Sequence, residues 1–411
     1  MSNSWRKAYD ELKEYITKNP GIEIGTSTIC ISSDVRPEFY RRFDKVRACF
    51  LKDNYPAQLE KGGVLSKKWD EVSRETRDGL KLETIDMDTE TRWFLLDPMD
   101  GLIRGLSDPL FDVLKGTKTL SEFEQTAARV VEDRFNRYYH EGYQSWATMS
   151  LLKLLSTDKA YYVPPAAVDK DPSSQDEMHK VYDANVPDVE ETSKISFTHS
   201  LKYSFLVPNI IGHSVRLNLF AAFISDFDYN ESRWKACRLS PQRKWHEMSD
   251  ITGEFGKGKL WPNLAIYTSG RLQELTVVAD NSQVAQPDII VEFREREGWY
   301  DKEGLELVRR HYNVLKPKLG SFVVCLEPVP EAALKELEPK SALQPVPMGV
   351  TLETKEQPAV TSVTPETTVQ PSYNMRILGV GYDITKLEPI VKAIVDEQTR
   401  PEEATAGNTP A

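Results

Sequence analysis

The stretch from Val163 to Ser193 sets the plan of this 411-residue chain, because it holds four prolines and eight acidic residues with little apolar periodicity. Proline removes backbone donors, like charges repel, and few apolar side chains remain to bury, so the stretch reads as an acidic linker or a long surface excursion. The organisation expected from this is a helical domain over 1–162, the linker over 163–193, a mixed αβ domain over 194–330 and a largely disordered tail over 331–411. Apolar residues make up 40% of the sequence, which is enough for packed cores and excludes disorder throughout. No apolar run approaches the roughly 18 residues that cross a bilayer. Met1 to Lys13 is charged and lacks the apolar centre of a secretory leader. The four cysteines (Cys30, Cys49, Cys237, Cys325) are scattered without a CxxC, so neither a disulfide scaffold nor a zinc ribbon is indicated. A cytoplasmic location with no membrane partner is the expectation.

The net charge of −11 is unevenly spread: −2 over 1–162, −6 over the linker, +3 over 194–320 and −6 over 321–411. Overall acidity therefore does not exclude nucleic acid as a partner, since the electrostatic footprint is local.

In the N-terminal part, Ser4 to Lys18 predicts an amphipathic helix and Ile22 to Ile31 one strand. Pro37 opens a helix with Phe39, Phe43, Val46 and Phe50 at helical spacing, and Ser66 to Lys81 predicts another. The steps Asp97-Pro98 and Asp108-Pro109 are helix starts. Leu120 to Leu155 reads as one long helix or two that abut near Gly142. Beyond the linker, Ile195 to Val207 and His213 to Phe227 carry strand signals, although the second reads equally well as a buried helix. Within the proline-rich tail, a strand and a helix over 375–397 are candidates to dock back on the body or engage a protein partner.

The clearest local pattern spans Leu272 to Pro328. Strand-like runs at Leu275 to Ala279 and Ile289 to Phe293 flank the turn Asp280-Asn-Ser-Gln. A helix over Lys302 to Leu315 follows, with Leu305, Val308, Tyr312 and Leu315 in one stripe, and Ser321 to Leu326 reads as a buried strand. Glu292 and Arg294 lie two apart on their strand and share a face. A hairpin brings Asp280 or Asp288 near Glu292, and two close carboxylates repel unless a cation neutralises them. Mg²⁺ or Mn²⁺ suits such an oxygen-rich set and could activate water at a phosphodiester.

These residues resemble the PD-(D/E)xK nuclease superfamily, whose motif is an acid on one strand, then acid-x-Lys on the next, followed by a helix and a strand. The match is Asp280, then Glu292-Phe293-Arg294, then the helix near 302–315 and the strand near 321–326. Asp288, in the literal pair Pro287-Asp288, is the alternative first acid. The resemblance implies a metal held by Asp280, Glu292 and Asp288, with Asp280, Glu292 and Arg294 as the catalytic set. It departs from the family at Arg294, which stands where the family has lysine; arginine stays protonated and holds a phosphate more readily than it tunes a water. Lys302 is a candidate migrated cation. The same alternation of Asp288, Glu292 and Arg294 with Ile289, Val291 and Phe293 also describes any amphipathic strand.

From Arg233 to Arg271, eight basic residues face three acids and are interleaved with Trp234, Trp245 and Trp261. Phosphates need cations and exposed bases stack on aromatic faces, so Arg233, Lys235, Arg243, Lys244, Trp245, Lys257 and Lys259 are candidate nucleic-acid contacts. Gly253 to Lys259 fits GxxxxGK, but Leu260 replaces the hydroxyl residue and no buried strand precedes it, so it is a flexible loop. The histidines show no zinc spacing. The fold class expected is α+β. The function expected is a divergent metal-dependent phosphodiesterase or nucleic-acid-binding protein, with a non-catalytic protein-interaction role as the alternative.

Overall fold

The computed structural model describes residues 4–162, 190–197, 210–225, 245–247, 262–275, 283–337 and 374–398. Its first part is helical: α1 (Ser4–Lys18), α2 (Arg36–Asn54), α3 (Pro56–Leu80), α4 (Thr89–Leu96), α5 (Pro98–Ile103), α6 (Ser107–Leu114) and α7 (Leu120–Leu154). Side-chain oxygens start several of them. Asp88 and Asp97 cap α4 and α5 by accepting from the first free N–H groups, and Thr119 with Glu122 forms a reciprocal capping box at α7.

Two details differ from the sequence expectation, and of the two alternatives for Leu120 to Leu155 the single long helix is the one present. The expected strand over 22–31 is a hairpin of two short strands, β1 (Ile22–Ile24) and β2 (Ile29–Ile31), because the chain reverses where Gly25 N donates to Thr28 O at 2.9 Å. Helix α3 starts ten residues before Ser66, running through Gly62 and Gly63. Each glycine costs a helix about 1 kcal/mol, but a Cβ on Gly62 would stand 2.9 Å from Pro98 Cβ, so the close approach to α5 requires it. Gly142 does not break α7. It lies where Leu95 and Leu65 press against the helix, and a Cβ there would meet Leu95 Cδ2 at 2.8 Å. The result is one unbroken helix about 50 Å long.

The strands that follow are β3 (Thr84–Asp86), β4 (Lys159–Tyr162), β5 (Glu190–Glu191), β6 (Lys194–Ser196), β7 (Ile210–Ser214), β8 (Leu219–Ser225), β9 (Trp245–Glu247), β10 (Leu264–Ser269), β11 (Gln283–Ala285), β12 (Ile289–Arg294), β13 (Gly320–Cys325) and β14 (Met375–Gly379). Eight of them form one mixed sheet in the order β14-β13-β12-β10-β8-β7-β4-β5. The run β7-β8-β10-β12 is antiparallel. At β12 the sheet changes character: α8 (Lys302–Leu315) carries the chain over to β13, which pairs parallel to β12, and β14 pairs parallel to β13. The tail strand expected near 375 thus closes one edge of the sheet, and the helix α10 (Glu388–Gln398) follows it, after α9 (Glu331–Leu337). Among the described residues no helix is long and apolar enough to cross a membrane.

The β-β-α-β unit is present with one change. The strand beside β12 is β10, Leu264–Ser269; of the strand expected over Leu275 to Ala279, Leu275 ends a short 3-10 turn (Leu272–Leu275) and 276–279 lie outside the described residues. Leu264 to Ser269 is buried at every position, so it lacks the alternation that marks a half-exposed strand.

Helix α7 lies against one face of the sheet and α8 against the other. Tyr143 of α7 meets the Phe293 ring edge-on at 6.3 Å, and Gln144 Nε2 donates to Asn263 O at 2.9 Å. On the opposite face Val308 of α8 packs on Val323 and Cys325. One apolar cluster runs from Trp5 and Leu12 through α7 to Phe293, Phe322 and the tail residues Leu387, Ile390 and Ile394. The helical residues and the sheet therefore share a core, and strands β12 and β13 are covered on both faces.

Candidate functional site

A cleft of about 620 Å³ opens at the C-terminal end of β12, where the sheet turns from antiparallel to parallel. Such switch points at strand C-termini are where open αβ sheets leave room for a ligand. Its walls include Arg137 and His140 of α7, Arg294 and Arg296 leaving β12, and Trp299 before α8. Gly304, in the first turn of α8, completes the rim, and Asp301 caps that turn by accepting from Gly304 N at 2.8 Å.

Beneath the cleft lies an ion-paired group. Glu292 is 1% exposed, and both carboxylate oxygens are engaged: Oε1 accepts from His311 Nδ1, and Oε2 accepts from Arg294 at 2.9 Å. Burial pushes the Glu292 carboxyl up, but His311 and Arg294 beside it outweigh that and hold it below the usual carboxylate range. The guanidinium of Arg294 reaches the cleft wall, and its Nε is buried without a hydrogen-bond partner among the described residues.

A second set ties α7 to the same strand end. His140 Nδ1 donates to Glu295 Oε2 at 2.9 Å, while its Nε2 meets Asn263 Nδ2 at 3.0 Å, so the neutral Nδ1–H form fits both contacts. Asn263 Oδ1 in turn accepts from Phe293 N at 2.9 Å, which ends the ladder in a defined place. The Glu295 carboxyl is raised by burial and lowered further by its bond to His140, ending below its ordinary value. Arg137 is tied to Glu90, which also accepts from Tyr138 at 2.7 Å. Arg296 is exposed and has no ion-pair partner among the described residues.

The candidate residues from the sequence distribute as follows. Glu292 and Arg294 stand together, as their spacing required. Asp288 is buried at the other end of β12, roughly 13 Å away at strand rise, and clamps the strand start by accepting from Thr268 N at 2.6 Å and Thr268 Oγ1 at 3.1 Å. It does not share a site with Glu292. Asp280 lies outside the described residues, as do Arg233, Lys235, Arg243, Lys244, Lys257 and Lys259. The backbone of Trp245 forms part of β9, paired with β11. Lys302 is exposed at the first position of α8. Among the described residues no three or more His, Cys, Asp or Glu side chains gather as metal ligands would. The amphipathic-strand reading of Glu292 as a solvated acid also fails, because the strand is buried on both faces.

His311, His140, Asn263 and Glu295 were not singled out from the sequence. A signal for His311 existed: it follows Val308 by three positions and precedes Leu315 by four, placing it on the buried stripe of α8 in place of the half-exposed Tyr312. For Asn263 there was none, since its role depends on the register that sets Leu264 opposite Val291. Family models, curated proteins and solved structures yield no match to this chain.

Proposed function

We propose that the chain binds nucleic acid on a nuclease-like scaffold, with the cleft at the end of β12 receiving the phosphate backbone. In this reading Glu292 holds Arg294 in place and does not ligate Mg²⁺ or Mn²⁺. The observation that carries it is the engagement of both Glu292 oxygens by His311 and Arg294. A carboxylate so held already has each oxygen hydrogen-bonded and its charge met by the Arg294 guanidinium, which weakens its pull on a cleft metal, whereas the guanidinium it fixes presents N–H groups to an anion. Arg296 adds a cation and Trp299 an aromatic face on which a base could stack.

Chain connectivity supports the same end of the sheet. Ser225, at the end of β8, and Leu264, at the start of β10, are register partners, and most of the basic, tryptophan-bearing stretch lies between them in the sequence. Asn263, beside Leu264, bonds Phe293 at the cleft. The two described residues that flank this stretch therefore lie at the sheet end where the phosphate site is proposed.

The test is fluorescence anisotropy of labelled single-stranded and duplex oligonucleotides with the full chain, in EDTA and over a salt series. The expected result is metal-independent binding that weakens with salt, reduced about five- to tenfold by Arg294→Ala or Arg296→Ala, in line with the loss of one charged contact. A parallel incubation with Mg²⁺ or Mn²⁺ is expected to leave the strands intact. Metal-dependent cutting that Glu292→Gln abolishes, in a variant whose circular dichroism is unchanged, would return Glu292 to the role of metal ligand and overturn the proposal.

A further inference from the structure

A second groove, of about 660 Å³, lies on the far edge of the sheet, between β14 and the turn and helix that follow it. Among the described residues β14 is an edge strand with nothing paired to its outer side. The phase of its ladder is fixed by two bonds: Ser321 N donates to Asn374 O, and Val380 N donates to Cys325 O. In a parallel ladder alternate residues then face the neighbour, so Arg376 and Leu378 bond inward and Met375, Ile377 and Gly379 turn their backbone groups outward. One of those outward acceptors, Gly379 O, is held by Lys386 Nζ at 3.2 Å, where a further strand would offer an N–H.

The groove is also charged with one predominant sign. Arg376, Lys386 and Lys392 line it against a single acid, Glu388. Cations on an edge repel another edge of the same charge, which disfavours a second copy of this chain meeting β14 with β14. They attract an acidic strand. We propose that the β14 edge is a docking site for an extended acidic peptide of a partner protein, added as a further strand of the sheet with its side chains against the groove cations. The reading stands independently of the nucleic-acid cleft, which lies at the end of β12.

The test measures anisotropy of a labelled peptide of alternating glutamate and valine with the full chain, beside a lysine–valine control. Ile377→Pro removes an outward N–H while leaving the inward ladder its donors, so it spares the bonds to β13. Lys386→Glu/Lys392→Glu reverses the charge on the exposed rim without touching the core. The expected result is saturable binding of the acidic peptide alone, weakened at least about tenfold by either variant, with far-UV circular dichroism matching the parent's at the assay temperature, because Ile377→Pro gives up packing on Val323 and Cys325 without touching the β13 ladder. Absence of binding, or binding equal in parent and variants, would overturn the proposal. So would a concentration-dependent dimer of the free chain that Ile377→Pro dissolves, since that assigns the edge to a second copy.

Discussion

Glu292 shows what a single buried charge demands of its surroundings. Taking one carboxylate out of water is tolerable here because the Arg294 guanidinium and the His311 ring both bond it, and removing one member strands the others. Glu292→Gln is therefore expected to lower stability by about 2–4 kcal/mol, measured by denaturant unfolding. Replacing Glu292 and His311 together by leucine is expected to cost less than Glu292→Leu alone, because the second change removes the orphaned imidazole while Arg294 can turn toward the cleft; a double-mutant cycle reads this coupling. The pH dependence has a defined sign. The folded-state pKa of Glu292 lies below its ordinary 4.5, so its stabilisation is fully present above that value and is lost as pH falls through the lower, folded-state one. Melting temperature should fall on acidification below about pH 4.5, and the fall should be shallower in Glu292→Gln.

At the scale of elements, the fold turns on close approaches that only glycine allows. A Cβ at Gly304 would stand 1.8 Å from the Trp299 carbonyl oxygen, which is backbone and cannot swing aside. A Cβ at Gly142 would meet Leu95 and Leu65 methyl groups at 2.8 and 3.0 Å, and those side chains can yield. Gly304→Ala is thus expected to cost more than Gly142→Ala, by about 1–3 kcal/mol, and to shift tryptophan fluorescence through displacement of Trp299. In Gly142→Ala the overpacking is partly offset by about 1 kcal/mol of helix propensity. Equal costs in thermal melts would contradict the argument. Helix boundaries were largely legible in the sequence for the same local reasons: α1 and α8 follow their apolar stripes and stop at Pro20 and Pro317, and α7 begins at the Thr119–Glu122 box. The start of α3 was not, since two glycines conceal a helix that packing on Phe94 and Pro98 sustains.

For the whole molecule, the far C-terminal elements matter more than their place after a proline-rich stretch suggests. Val380, Leu387, Ile390 and Ile394 are buried to within 1%, and β14 covers the edge of β13, which is buried at every position. Tyr382 joins Tyr139 at 2.9 Å, and Tyr143 donates to Gly381 O at 3.1 Å, so the tail is bonded to α7 as well as packed on it. Truncation after residue 337 is expected to cost on the order of 5 kcal/mol or more from lost apolar burial. It should also promote aggregation through the uncovered β13 edge, seen in thermal melts and light scattering.

The helical character of 1–162, the α+β class, the order strand–helix–strand around α8, and the shared face of Glu292 and Arg294 were all legible in the amino-acid order. Those features depend on periodicity, capping and spacing, which act over a few residues and are written in neighbouring letters. Long-range packing was needed to show that β10 pairs with β12, that Asp288 and Glu292 serve different ends of one strand, and that His311 and Asn263 complete the cluster beneath the cleft. These follow from register and from two helices closing on opposite faces of the sheet. Contacts between residues distant in the chain are set by how whole faces pack, and no local pattern carries that information.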